Sequence, residues 1–419
     1  MSCAVRRVVV GAAAAFAVTA SLAGQPSDVR ALMQEPAMRT ALARARATEP
    51  QTLDDQIRFC QVPAPPFDET ARGELLRRAF AAVGLRNVRV DEVGNVLGDR
   101  PGAAARPRVV LAAHLDTVFP KGTAVTVTRD GAELKGPGIG DNCRGLAVLV
   151  AVARTLREAD VRTAGSLTFV ANVGEEGLGD LRGMRTLFGR TLKGQIDRFV
   201  TIDNAGLQLS IVGVGSRRYR VTFHGPGGHS YADFGRANPA DALGRAIAKL
   251  AEFRTPGAAR TTFNVGRIGG GTSVNAIPAE AWMEVDLRSP DPGALKELES
   301  RFEAAVDAAV AEENTRWGRA AQVTVEKRLV GDRPAGATPS HAPISQTAES
   351  VAMALGLPRL FSEASSDANL PMSLGIPAIA IGGGGRSFGS HTTDERFDGT
   401  DAWQGTQFAL LLAAALARN

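Results

Sequence analysis

Aromatic residues are scarce in this chain, at 5% of 419 residues, with three tryptophans and two tyrosines. So few rings offer little for bases to stack on, and a net charge of +4 is too small to grip a phosphate backbone. No nucleic acid is expected as a partner. Cysteine numbers only three, too few for a disulfide framework, and spacing alone leaves open whether Cys60 and Cys143 pair. Past the first two dozen residues, no stretch approaches the roughly 20 apolar residues of a membrane span.

What is present is ordinary globular composition, 44% hydrophobic and 22% charged. The length exceeds what one hydrophobic core usually serves, so two domains are expected. The N-terminus stands apart. "MSCAVRRVVVGAAAAFAVTASLAG" places Arg6 and Arg7 before an uncharged run and ends on the small-residue site Ser21-Leu22-Ala23. That is the layout of a secretory signal peptide, residues 1–23, and the run is too short and too rich in alanine for a membrane anchor. The mature protein is expected to be exported, periplasmic or secreted, with no stable membrane anchor.

Three sections follow. "PRVVLAAH" (107–114), "GSLTFVANV" (165–173) and "DRFVTID" (197–203) read as strands buried on both faces, with a helix at 144–159 between the first two. From about Gly213 the order becomes β-α-β-β-α-β, the ferredoxin-like motif, with Asn238-Pro239 and Asp291-Pro292 opening its helices. From about Gly331 helix–strand alternation returns, with "IPAIAIGGGG" (376–385) as a buried strand entering a glycine loop. The expected fold class is therefore α/β, a mixed, mostly parallel sheet covered by helices. Residues 24–212 and 331–419 would form it, split by an inserted α+β lid at 213–330.

Polar residues cluster at strand ends, where open α/β sheets place their ligands. "NVGEEGLGD" (172–180) is the most telling stretch, because adjacent carboxylates at the end of a buried strand repel unless a strong positive charge sits nearby. "HLDTV" supplies His114 and Asp116, "GPGIGDNCRG" supplies Asp141, Asp203 ends the third strand, and "GSHTTDE" supplies His391. Two histidines and several carboxylates are the ligand types of a zinc site. Taken singly, each has a plainer reading: a strand-end Asp such as Asp141 is often a helix cap, and a histidine after a glycine loop is usually just exposed. Their joint occurrence at successive strand ends is what favours a metal site.

"HLDTV", "GIGDN", "GEEG", "GPGGHS" and "SHTTDE", in this order, resemble the di-zinc metallopeptidase family of peptidase T, carboxypeptidase G, carnosine dipeptidase and aminoacylase. The resemblance runs from about residue 50 to the C-terminus. It implies two Zn2+ per subunit, with Co2+ or Mn2+ as possible substitutes. His114 and Asp203 would hold one ion, Glu176 and His391 the other, and Asp141 would bridge them. Glu175 would be the general base, Asp116 would orient His114 or a neighbouring ligand, and the Asp141-Asn142 peptide would be cis. His229 would reach the site of a partner subunit in a homodimer formed through the lid and stabilise the oxyanion. Asn275, Arg288 and the loop at Gly382 and Gly383 would grip substrate, although Arg288 could equally make a salt bridge within the lid. Where many relatives carry lysine two residues after the bridging aspartate, this chain has Cys143 and then Arg144, which puts the lysine's contact in doubt. His224 and His341 have no expected role.

The implied activity is hydrolysis of amide bonds in short peptides, of the di- or tripeptide exopeptidase, aminopeptidase-like kind. Within the family, aspartate at the position of Asp203 goes with peptidases and glutamate with deacylases and carboxypeptidases. Hydrolysis of N-acyl amino acids, or carboxypeptidase action, is the alternative. A non-catalytic binding protein on the same fold is disfavoured because all five ligands and the base are present.

Overall fold

The computed structural model describes residues 28–318 and 322–418. The expected signal peptide lies outside the described residues. Among them, no helix is long and apolar enough to cross a membrane.

The main sheet is built around Arg108–His114, whose residues from Val109 onward are all buried. It pairs in parallel with Ser166–Asn172 on one side and Arg198–Ile202 on the other. Ala378–Ile381 extends the parallel set beyond Arg198–Ile202. Antiparallel strands finish both sides, among them the hairpin Arg86–Val90/Val96–Arg100 and the strand Gln208–Gly213. The sheet is thus mixed but parallel at its centre, as expected. One face packs against helices Pro36–Ala47, Cys143–Glu158 and Trp403–Leu416, which share a large apolar core with it. A second core covers the other face. Burial on both sides explains why the central strands read as unbroken apolar runs.

Residues 215–333 form a separate four-stranded sheet with its own core. Its order is Thr262–Gly270, Glu280–Ser289, Gly215–His224, Thr324–Arg333, antiparallel throughout. Helices Pro239–Ala251 and Pro292–Trp317 pack on each other and on the same strands. Asn238 and Asp291 cap them, accepting hydrogen bonds from Ala240 N (2.9 Å) and Ala294 N (2.6 Å). This is the ferredoxin-like arrangement. Along Glu280–Ser289 burial alternates strictly, so Ala281, Met283, Val285 and Leu287 face the helices. Asp286 and Arg288, with Arg218 paired opposite Asp286, therefore lie on the helix-free face. The last strand of this sheet passes through Gly331 by a β-bulge and continues to Arg333, beyond the point where the glycine suggests an end.

A small third sheet joins Arg386–Phe388 and Arg396–Asp398 to Glu133–Lys135 and Thr128–Asp130. The loop between its first two strands carries His391.

Candidate metal centre

His114, Asp141, Glu175, Glu176, Asp203 and His391 meet at the C-terminal ends of the central strands. His114 Nε2 lies 3.2 Å from Asp141 Oδ1 and 3.7 Å from Asp203 Oδ1. His391 Nε2 lies 3.3 Å from Asp141 Oδ2 and 3.3 Å from Glu176 Oε1. Asp141 thus turns one oxygen to each histidine. Two triads share Asp141, His114–Asp141–Asp203 and Asp141–Glu176–His391, each compact enough for one ion, and His114, Glu175 and Glu176 form a third group as close.

The surrounding contacts fix these atoms. His114 Nδ1 is 3.0 Å from the backbone carbonyl of Asp116. With the proton on Nδ1, Nε2 keeps a lone pair for a metal. The Asp116 carboxylate, fully buried, accepts instead from the backbone N–H groups of Glu175 (3.0 Å) and Glu176 (2.8 Å). Asp116 therefore orients both the histidine and the paired glutamates. Asp141 is not the helix cap. Asn142 caps Cys143–Glu158, accepting from Gly145 N at 3.0 Å, and its amide donates to Ile202 O at 2.9 Å. That frees the Asp141 carboxylate to face the histidines. The Asp141–Asn142 peptide is cis, as the resemblance implies.

Glu395 has no counterpart in the expectations. Its buried carboxylate accepts from Gly138 N (3.0 Å), Gly140 N (2.8 Å) and Asp141 N (3.1 Å), tying the His391 loop to the turn that presents Asp141. A Cβ on Gly140 would come within 3.0 Å of that carboxylate and 2.3 Å of Ser387 Oγ, so the turn requires glycine there. Burial pushes Glu395 up to about 7 against the pull of these N–H donors.

The electrostatics fit a cation. Burial alone would lower the pKa of His114, but the carboxylates of Asp116, Asp141 and Asp203 gathered around it hold it well above the usual histidine range. Hydrogen bonds to Asp141 and Glu176 hold His391 up to about 10. Burial would raise Asp141, yet the two histidines hold it well below the usual carboxylate range. Asp141 Oδ1 is buried with no hydrogen-bond partner among the described residues, the kind of orphaned acceptor that a metal satisfies. The donor set of imidazoles and carboxylates suits zinc or a similar divalent ion.

Glu175 is buried at 4% exposure, and burial raises its pKa well above the carboxylate norm. Arg333 opposes that shift, donating from Nη1 to Glu175 Oε1 at 2.7 Å. Arg333 escapes the sequence because an arginine in "GDRPAG" reads as a solvated turn. Its only signal is its place where the inserted section returns to the main sheet.

A cleft of about 470 Å³ opens over these groups. Its lining joins Asp141, Glu175, Glu176, Asp203 and His391 with three arginines, Arg218, Arg288 and Arg333. Arg288 also pairs with Asp286 at 2.6 Å, the salt bridge within the lid that the sequence allows. The remaining candidates lie elsewhere. His229 and Asn275 are exposed in the lid and do not line this cleft. The His229 N–H donates to Asp233, and its Nδ1 accepts from Tyr231 N and Ala232 N. Gly382 and Gly383 are buried beneath the cleft. There Gly383 O accepts from Arg144 Nε at 2.7 Å, and Arg144 also binds Glu49 and Ala402 O. Arg144 thus clamps the glycine loop, a structural task. Cys60 and Cys143 are buried free thiols, and His224 and His341 are exposed.

A ligand set of this kind at the strand ends of a helix-covered mixed sheet, beside an inserted ferredoxin-like domain, is that of a metal-dependent hydrolase. Residues 110–415 match the model of Peptidase family M20/M25/M40, and the chain belongs to that family. It is 26% identical over 363 residues to a succinyl-diaminopimelate desuccinylase of Corynebacterium glutamicum, covering 81% of this chain and 89% of that protein. Among solved structures, a tripeptidase of Staphylococcus aureus superposes with a TM-score of 0.72 at 22% identity, covering 88% of this chain and 98% of that one. A dinuclear metal-binding peptidase of Bacillus subtilis gives a TM-score of 0.66 at 17% identity, covering 89% and 99%. Both structures share the fold.

Proposed function

We propose that this hydrolase binds two zinc ions and cleaves amide bonds in short peptides that carry a free carboxylate. The observation that carries the reading is Asp141, whose two oxygens face separate ligand sets. His114 and Asp203 would hold one ion and Glu176 and His391 the other, with Asp141 shared between them. Two such ions supply Lewis acidity and lower the pKa of a water toward about 7. Glu175, buried beside the ligands, takes the proton of the attacking water and returns it to the leaving nitrogen. General acid–base help of this kind is worth about 10²–10⁴ in rate. Arg333 keeps the Glu175 carboxylate aimed and favours its ionised form. Arg218 and Arg288, which line the same cleft, suit a substrate carboxylate, since guanidinium groups pair with carboxylates in a fixed fork.

Aspartate at position 203 supports a peptidase, by the resemblance described above. N-acyl amino acids also present a free carboxylate to these arginines, and the similarity to a desuccinylase supports that second reading. Metal-loaded enzyme assayed on di- and tripeptides beside their N-acetylated forms separates the two. Cleavage of the blocked amides alone would overturn the peptidase reading.

The lid is the proposed dimer contact. Thr262–Gly270 is an edge strand with an alternating, largely exposed surface, and Tyr231, Phe234 and Val274 are exposed near His229 and Asn275 in sequence. An unpaired edge with apolar neighbours favours pairing with a second copy. His229, off the cleft of its own chain, would then serve the partner's oxyanion. Export with cleavage after Ala23 completes the proposal.

A further inference from the structure

Helices Glu49–Cys60, Thr70–Ala82 and Cys143–Glu158 enclose a second cleft, of about 620 Å³. It lies toward the far end of the helix whose first turn follows Asp141. Arg154 is eleven residues beyond the start of that helix, on the order of 16 Å along its axis. Four arginines line the cleft, Arg58, Arg78, Arg154 and Arg157, against two acids, Asp55 and Glu158. Those acids are already engaged. Asp55 accepts from Arg58 (2.7 Å) and from Arg154 (2.9 Å), and Glu158 binds Arg44 (2.5 Å) from outside the cleft. Arg78 shares Glu74 with Arg77. The cleft therefore carries surplus positive charge.

Arg154 is its unusual member. It interrupts an otherwise apolar stretch of the helix and is only 8% exposed. Nη1 binds Asp55, but Nε and Nη2 are buried and have no hydrogen-bond partner among the described residues. A guanidinium carries five donors in a rigid fork and cannot shed its charge. Leaving two of its three nitrogens unpaired in the interior is costly, so such a group is normally satisfied by an acceptor that completes the fork. Beside it, Ala79, Ala82, Val83 and Val150 supply an apolar floor.

We propose that this cleft is a binding site for a small organic phosphate, a phosphate monoester whose oxygens complete the Arg154 fork and whose body rests on the apolar floor. Arg58, Arg78 and Arg157 add charge at the rim. Guanidinium groups donate in a fixed fork to phosphate as to carboxylate, and the near-double negative charge of a phosphate monoester answers the surplus positive charge of the cleft more fully. The site is separate from the metal centre and does not depend on the reaction proposed there.

Calorimetric titration of metal-loaded protein with phenyl phosphate, inorganic phosphate and succinate tests the proposal, with Arg154→Met and Arg78→Gln run beside the wild type. Phosphate can also meet the metal ions, but such binding inhibits hydrolysis competitively and survives in Arg154→Met. The expected result is one more phenyl phosphate bound per chain by the wild type than by Arg154→Met, with metal content and basal hydrolysis unchanged in the variant. Phenyl phosphate should bind about tenfold tighter than inorganic phosphate, reflecting the buried ring. Arg78→Gln, on the exposed rim, should weaken binding roughly three- to tenfold, and it keeps the test decisive if Arg154→Met does not fold. Equal stoichiometry in the wild type and Arg154→Met, no effect of Arg78→Gln, or binding of succinate in place of phosphate would each overturn the proposal.

Discussion

Arg333 Nη1 donates to Glu175 Oε1 at 2.7 Å, both side chains almost wholly buried, and its Nη2 donates to the Glu175 carbonyl. The last strand of the lid thus ends on the proposed general base. Removing one member of a buried ion pair typically costs about 3–5 kcal/mol. Arg333→Met is expected to lower the unfolding temperature and kcat together. Because Arg333 opposes the burial that raises the pKa of Glu175, its loss should move the acid limb of the kcat/KM profile to higher pH. An unchanged acid limb would show that Arg333 serves packing alone.

The paired glutamates should separate on substitution. Glu175→Gln is expected to keep metal and lose nearly all turnover, because an amide cannot accept the water's proton. Glu176→Gln should deplete one metal of two, since a neutral amide is a poor zinc ligand. Metal analysis beside kcat distinguishes them, and equal metal loss in both variants would contradict the assignment.

Glu395 touches no proposed ligand side chain, yet its carboxylate binds the backbone of the turn that carries Asp141. Glu395→Gln replaces one acceptor oxygen with a donor facing N–H groups. Metal affinity is expected to fall about 10–100-fold, as with other groups that orient ligands. Competition with a chromogenic chelator measures it, and wild-type affinity would reduce Glu395 to a surface-loop tie.

In chelated protein His391 is held up to about 10, above its unfolded value of about 6.5. The stability it adds is then fully present below pH ~6.5 and is lost as pH rises through about 10. Metal binding has the opposite sign, because protons leave His391 as the ion enters. The unfolding temperature of chelated wild type, relative to chelated His391→Asn, should fall between pH 6.5 and 10, while the gain on adding zinc grows. The side chain is 55% exposed, so screening keeps the effect modest. A difference that rises with pH in chelated protein would refute the pairing.

His229→Ala is expected to lower kcat by roughly 10²–10³, as loss of an oxyanion donor does elsewhere, with metal retained. Mixing it with Glu175→Gln subunits should restore activity, since one site of a mixed dimer receives both intact residues. Subunit exchange without recovered activity would confine His229 to its own chain or to no role.

Much of this was legible because burial on two faces, cap residues and strand-end polar groups leave local marks. Val109–Ala113 and the caps Asn238 and Asp291 are of that kind. What stayed hidden depends on distant pairing. Strands of three residues such as Arg396–Asp398 show no period, and only their partners define them. Gly331 looked like a boundary because a bulge admits glycine without ending a strand. The charge that offsets the adjacent glutamates comes partly from Arg333, 158 residues away, and no local pattern announces it. The cap at Asn142 rather than Asp141 is a one-residue distinction that only the turn's geometry resolves.

The lid leaves the main sheet after Gly213 and returns at Gly336, and these two residues are paired neighbours. Its ends are therefore close together, so the insertion can fold as a closed unit during synthesis, ahead of the sheet that carries it. The sheet has to wait. Arg198–Ile202 is complete only when Ala378–Ile381 has been made, and the second ligand triad only when His391 has. The shared two-ion centre proposed here is therefore assembled only from a nearly complete chain, with His391 its last ligand to be made.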